Sequence, residues 1–316
     1  MDTHTKYRNH FIVALSMVLA LAVASACSTG IESTKKIRMN KEDMRMMEKT
    51  EEEVFAAALK GSPLSEWKEG KPFLAMSDRT LYIFEPAAAQ SVDAGNLKGK
   101  VLHYAGMESR VNPDLKQECV LLFTDGNSIF RYNTGRPVDM ALREVDSSKM
   151  PLLADIDLTS RWNETLKGRK LWTRSNLWYD DNGNRKHGLR YVEVEVIEVT
   201  PATGDFPANV RIRHAGEEAL MHINYTSEKG DSRNFAAIFF LSDPKSRYPN
   251  ISDRNWQLIQ NSKVDRGMTK DECRLSLGNP DELQSGHNTS QTLDIWQYSD
   301  GTYLFFSDGI LTNFRQ

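Results

Sequence analysis

The chain has 316 residues, with 40 Lys and Arg against 43 Asp and Glu and a formal net charge of −3. No block of one sign stands out, so the sequence carries neither a basic nucleic-acid footprint nor an acidic tail. Three cysteines exclude a disulfide-built scaffold, and the length points to two or three domains rather than one.

Residues 1 to 26 have the layout of a secretory signal. Lys6 and Arg8 form a basic start, and Phe11 to Val23 is an apolar run broken only by Ser16. The run falls short of the roughly 18 apolar residues of a spanning helix. Ala24-Ser25-Ala26-Cys27 places small residues ahead of a cysteine and is similar to a bacterial lipobox. That resemblance implies cleavage before Cys27, diacylglycerol on its sulfur and acylation of the new amino group. Several acyl chains anchor a protein stably where one does not. An ordinary signal peptide cleaved nearby is the alternative. Without the leader, 38 basic and 42 acidic residues remain, a net charge of −4. Ser28 is not acidic, and no acidic cluster follows Cys27. By the same resemblance, this implies the periplasmic side of the outer membrane of a Gram-negative cell.

Residues 28 to 39 read as a flexible tether. Asn40 then suits a helix N-cap, Glu42 and Asp43 its first turn, and Gly61 its end. Met44, Met47, Val54, Phe55, Ala58 and Leu59 make a broken apolar stripe, expected to pack into a core, with a partner groove as the alternative.

Residues 61 to 150 and 151 to 250 read as two β-rich modules. Pro72 to Phe84 and Cys119 to Tyr132 are strand-like, the second broken at Asp125-Gly126. Lys170 to Tyr179 and Leu189 to Thr200 flank the hairpin signal Asp181-Asn-Gly-Asn184. Val192, Val194 and Val196 alternate with Glu193 and Glu195, predicting one buried and one wet face. Asn209 to Arg213, Leu220 to Ile223 and Phe235 to Leu241 continue the strand pattern. Leu97-Lys98-Gly99-Lys100-x-Leu102 is echoed by Leu166-Lys167-Gly168-Arg169-x-Leu171, too short a match to define a repeat.

The sequence offers no catalytic constellation with the right mechanics: no phosphate-binding glycine loop, no His-Glu-x-x-His and no nucleophile elbow. No cofactor is expected. His214, Glu217, Glu218 and His222 are the nearest metal-ligand set, but their spacing fits no zinc pattern, and solvated hairpin residues are the expected reading. A hydrolase in the middle modules would have to use such groups. His103 and His287 are isolated, and Asp180-Asp181 suit local turn hydrogen bonds. Cys119 and Cys273 read as two buried thiols, with a bridge between them as the alternative.

The last 66 residues, 251 to 316, are the most legible. Ser252 can cap a helix through Trp256 and Ile259. Thr269 and Glu272 form a capping box, with Met268 and Cys273 placed as a hydrophobic staple. Gly278 and Pro280 end that second helix, which puts Cys273 and Leu277 on one face. Strands are expected over Gln291 to Tyr298, Thr302 to Phe306 and Ile310 to Phe314, joined at Asp300-Gly301 and Asp308-Gly309. Trp296, Tyr298, Tyr303 and Phe305 stand out as candidate partner-binding residues.

Val264, Gly267-Met268-Thr269, Leu277-Gly278-x-Pro280, Trp296-x-Tyr298, Leu304-x-Phe306 and Gly309-x-Leu311-Thr312-Asn313 occur in an order that resembles the SmpA/OmlA (BamE-like) family. These are small lipoproteins of bacterial outer membranes. The resemblance covers about a fifth of the chain and implies a helix-helix-β-meander domain that assists a barrel-assembly machine. Family members are usually little more than this domain behind a lipid anchor, whereas this chain inserts residues 61 to 250. Cys273 also stands where an aliphatic is usual.

The expected fold is thus α+β, with β-rich antiparallel middle modules before a BamE-like end. The expected function is a lipid-anchored, non-catalytic envelope scaffold or adaptor that binds envelope proteins and no nucleic acid. The alternative is an inhibitor or ligand-binding module, because β-lactamase inhibitor proteins have a similar helix-helix-sheet unit.

Overall fold

Among the described residues the first helix is α1 (Glu51–Ala58), capped by Thr50. The Thr50 hydroxyl accepts the Glu53 N–H at 3.2 Å, and the Glu53 carboxylate accepts the Thr50 N–H at 2.9 Å. An N-cap sits in extended backbone, here φ −69°, ψ 162°, so no helix capped at Asn40 can run through it. The computed structural model describes residues 49–85, 97–225, 232–287 and 292–315. The leader, Cys27 and Asn40 lie outside them. Glu52 is buried and accepts the Leu241 N–H, while Phe55 packs on Trp162 and Phe235. The first helix therefore belongs to the core of a later module.

From Lys49 on, the described chain forms a single unit of helices and antiparallel sheets. The first sheet contains β1 (Pro72–Ala75), β2 (Val101–Val111), β3 (Gln117–Thr124), β4 (Ile129–Asn133) and β5 (Leu153–Asp155), in the order β4-β3-β2-β1-β5. The strand expected over Pro72 to Phe84 stops at Ala75, and Asp78–Ile83 is a 3-10 helix. Its buried Thr80 donates to Leu152 O at 3.1 Å, which turns the chain away from the ladder. Helix α2 (Val138–Glu144) covers this sheet, and Phe73, Phe123 and Phe130 lead its core.

Asp155 ends the sheet and caps α3 (Ile156–Leu166), taking the Leu158 N–H at 3.0 Å and the Lys71 ammonium at 2.9 Å. Leu158, Trp162 and Leu166 of α3 are buried against a seven-stranded sheet. Its strands are β6 (Lys170–Thr173), β7 (Leu177–Tyr179), β8 (Arg185–His187), β9 (Glu193–Pro201), β10 (Ala208–His214), β11 (Glu217–Ile223) and β12 (Phe239–Phe240), ordered β12-β6-β9-β10-β11-β7-β8. The single strand expected over Lys170 to Tyr179 is in fact two. Arg174 N–H continues the β6–β12 register to Ile238 O at 2.7 Å, and Ser175 N–H turns to the same oxygen at 3.4 Å, which ends the ladder there. Strand β6 thus pairs with β9 and β12 while β7 lies across the sheet beside β11. The strand expected over Phe235 to Leu241 likewise begins as the helical turn α4 (Phe235–Ile238), because Asn234 Oδ1 caps Ala237 N–H at 2.8 Å. Val192, Val194 and Val196 face the core as their alternation requires. The sequence echo marks one local device used twice. Lys100 N–H bonds Leu97 O and Arg169 N–H bonds Leu166 O, both at 2.9 Å, with glycine at the positive-φ third position and buried leucines on either side.

The C-terminal segment holds α5 (Asp253–Gln260), capped by Ser252, and α6 (Lys270–Leu277), capped by Thr269. Four strands follow in sequence order: β13 (Glu282–His287), β14 (Thr292–Gln297), β15 (Tyr303–Ser307) and β16 (Ile310–Arg315). The polar strand β13 gave no signal in the sequence. The capping box at Thr269 is complete, and Glu272 also accepts Asn255 Nδ2 at 2.7 Å, which ties α6 to α5. The buried face of α6 is Glu272, Cys273 and Ser276, with Leu277 only half-buried. Ser276 can be buried because its hydroxyl donates to Lys263 O at 2.6 Å. Cys119 and Cys273 are both free and lie in separate cores.

Gly278 has φ 90° and ψ −170°, a region essentially closed to residues with a Cβ. Gly278→Val is expected to cost roughly 1 to 3 kcal/mol. Thr269→Ala is expected to cost about 1 kcal/mol. Leu277→Ala falls below the roughly 2 to 5 kcal/mol of a fully buried leucine. Urea titration of the three variants checks this order.

Candidate functional site

In the last sheet, strand alternation divides the four candidate aromatics. Trp296 is fully buried and packs on Phe306 with ring centroids 4.6 Å apart. Tyr298 is 8% exposed, and its hydroxyl donates to Gly278 O at 3.1 Å. Both belong to the core, so neither offers a surface to a partner. Tyr303 and Phe305 have the opposite parity and point outward. Cross-strand register adds to them Leu293 and Ile295 on β14, since Ile295 pairs with Phe305 and Gln297 with Tyr303. Ile310, opposite Ser307, completes the stripe. Leu293, Phe305 and Ile310 are 45%, 36% and 41% exposed, and Ile295 and Tyr303 are half-buried. These five side chains form an open apolar face. Counting outward from Trp296 would have found Leu293 and Ile295 in the sequence, whereas Ile310 follows only from the register of β15 and β16.

A second feature lies where the seven-stranded sheet meets α6. The last carbonyls of a helix lack intrahelical donors. Here they are satisfied from outside: Tyr191 Oη donates to Leu275 O at 3.1 Å and Arg190 Nη1 to Ser276 O at 3.0 Å. A cation at this end also complements the helix dipole. Tyr191 adopts φ 55°, unusual for a bulky side chain, and its ring packs against Phe240 and Trp256. Burial pushes its hydroxyl pKa up. Tyr191 and Phe240 both belong to the core of the C-terminal segment.

Beside this joint is a cleft of about 770 Å³ whose walls include Arg174, Arg190, Arg274, Ser175, Tyr248 and Asp271. A neighbouring hollow of about 590 Å³ shares Arg190 and adds Arg185 and Asp300. Desolvation presses the Arg190 guanidinium below its usual pKa, and Arg185 adds to this. These arginines are scattered over 100 residues of sequence, and nothing in their local pattern groups them.

The possible metal ligands are not brought together. His214 pairs with Glu217 at the turn of the β10–β11 hairpin, whereas His222 pairs with Asn209 five residues farther along. At about 3.3 Å per residue that is roughly 16 Å, and the odd offset puts the two histidines on opposite faces. His214 Nδ1 is 2.8 Å from Glu193 O, and His222 Nδ1 is 2.6 Å from Asn209 Oδ1. Burial lowers the His222 pKa. Among the described residues no group of His, Cys, Asp and Glu is arranged to hold a metal. His103 is exposed on β2, and His287 pairs with Thr292 between β13 and β14. Asp180 Oδ1 accepts the Asn182 and Asn184 N–H groups, and Asp181 pairs with Arg211 at 2.8 Å.

Comparison with protein-family models, with curated proteins and with solved structures gave no match.

Proposed function

We propose that this chain is a lipoprotein anchored through Cys27 on the periplasmic side of the outer membrane. In this reading it is a non-catalytic scaffold or adaptor of the SmpA/OmlA (BamE-like) kind, in outer-membrane protein assembly. The lipobox-like Ala24-Ser25-Ala26-Cys27 supports the anchor, and the motifs from Val264 to Asn313 support the kinship. The observation that carries the adaptor role is the open face of Leu293, Ile295, Tyr303, Phe305 and Ile310. A sheet normally buries its apolar face, and contiguous exposed apolar surface rimmed by polar residues marks an interaction site. Gln284, Asn313 and Arg315 provide such a rim by their register.

A photo-crosslinker at Phe305 or Ile310 in living cells is expected to capture an envelope protein. One at Tyr82, 84% exposed on the first module, serves as the control. Phe305→Asp should change stability by no more than about 0.5 kcal/mol, as for other surface sites, while abolishing the crosslink from Ile310. Absence of any crosslink from this face, or equal capture from Tyr82, overturns the adaptor reading. Acyl labelling that persists in Cys27→Ser overturns the anchor.

A further inference from the structure

We infer that the arginine-lined cleft between the seven-stranded sheet and α6 binds a small molecule carrying a phosphate group or another multivalent oxoanion. Three guanidinium groups, those of Arg174, Arg190 and Arg274, line a single cavity of about 770 Å³. Among the described residues one carboxylate stands on its walls, that of Asp271, and it is already taken up by Arg274 at 3.1 Å. The walls therefore carry two positive charges in excess, in a chain whose formal net charge is −3.

Among the described residues no carboxylate lies within ion-pair distance of Arg174 or Arg190. Arg174 Nη1 donates to Ala236 O at 2.7 Å, and its guanidinium stacks over Phe240 at 4.7 Å. Arg190 Nη1 donates to the neutral Ser276 carbonyl, and its Nε is buried with no hydrogen-bond partner. Arg174 is exposed and Arg190 half-buried, so both present charge to the cleft, and Arg190 loses part of its water with little compensation, a cost that an anion would offset. Each guanidinium has five N–H donors in a planar fork, and toward the described residues each of the three uses one. That leaves donors free for bidentate bonds to phosphate-type oxygens. The size fits a small-molecule site, whose usual range is about 300 to 1,000 Å³. Arg190 also anchors α6, so it shapes the site as well as charging it.

The test is calorimetric titration of the purified full chain with inorganic pyrophosphate at low salt. The expected result is saturable one-to-one binding that weakens as salt rises. Arg174→Gln combined with Arg274→Gln should weaken it at least tenfold without shifting the melting temperature. If the pair melts early, Arg274→Gln alone takes its place, since Arg274 is exposed and should still cost several-fold in affinity. A soluble short-chain phosphatidic acid distinguishes the sources of the phosphate. Tighter binding than pyrophosphate assigns the site to a lipid headgroup, and weaker binding assigns it to a soluble ligand. No binding of either probe at millimolar concentration, or unchanged affinity in folded Arg274→Gln, overturns the inference.

Discussion

Trp162→Ala is expected to destabilise the molecule by roughly 3 to 5 kcal/mol, the range for truncating a buried tryptophan, and to release the N-terminal helix. Trp162 is fully buried on α3, where its indole packs on Phe235 at 5.5 Å and on Phe55 at 6.2 Å. Its Nε1 donates to Leu59 O at 3.0 Å, just past the end of α1. One side chain thus holds three pieces distant in sequence: α1, α3 and the α4 turn. Alanine leaves a large cavity and an unpaired Leu59 carbonyl. The buried Glu52 contacts to Leu241 N–H and Arg247 remain, but they lose the packing that positions them. Urea denaturation gives the energy, and hydrogen exchange across Glu51–Ala58 reports the release. Exchange in α1 as slow as in the parent chain would show that Trp162 does not hold it.

Gly188→Ala is the second large effect, and it is purely steric. A Cβ at Gly188 would lie 2.2 Å from the Asn176 carbonyl oxygen and 2.7 Å from its carbon, both backbone atoms. No rotamer relieves such a contact, so the backbone must move. The expected cost is about 3 kcal/mol or more, at the upper end for overpacking. The displaced segment carries Arg190 and Tyr191, which hold the end of α6, so the C-terminal segment should loosen with it. Gly286→Ala on β13 is the control, because its Cβ would meet nothing within 4 Å. Thermal melts of both variants compare them directly. Equal stability of the two would mean that the Asn176–Gly188 contact is not rigid.

Local elements that rest on near neighbours in the chain were readable from the sequence. The Thr269 capping box, the Ser252 cap and the valine alternation of β9 each depend on residues within a few positions, so spacing alone specifies them. The Asp308-Gly309 hairpin is the same: both residues have positive φ, and Ser307 pairs with Ile310 across it. The misreadings came where a distant partner outbid local preference. Lys170 to Tyr179 splits where Ile238 O takes the N–H groups of both Arg174 and Ser175, which stops the register of β6. β13 is held by pairing with β14 rather than by its own composition. Phe235 to Ile238 differs, because its local signals, the Asn234 cap and the helix-favouring Ala236 and Ala237, agree with the helical turn and were hidden by the apolar run, and Phe235 adds packing on Phe55 and Trp162.

By itself the sequence determined the antiparallel, mixed helix-and-sheet character of the chain and, within its last 66 residues, the two capped helices and the three strands after β13. Those features follow from periodicity, caps and turns, which act over one or two turns of chain. Only the tertiary structure decided which aromatics are core and which form a surface, because in a strand that choice depends on which side the helices cover. It also decided the arginine cleft and the shared core around Tyr191 and Phe240. Arg174, Arg190 and Arg274 meet only through the packing of α6 against the seven-stranded sheet, and no spacing along one chain encodes a meeting between two elements.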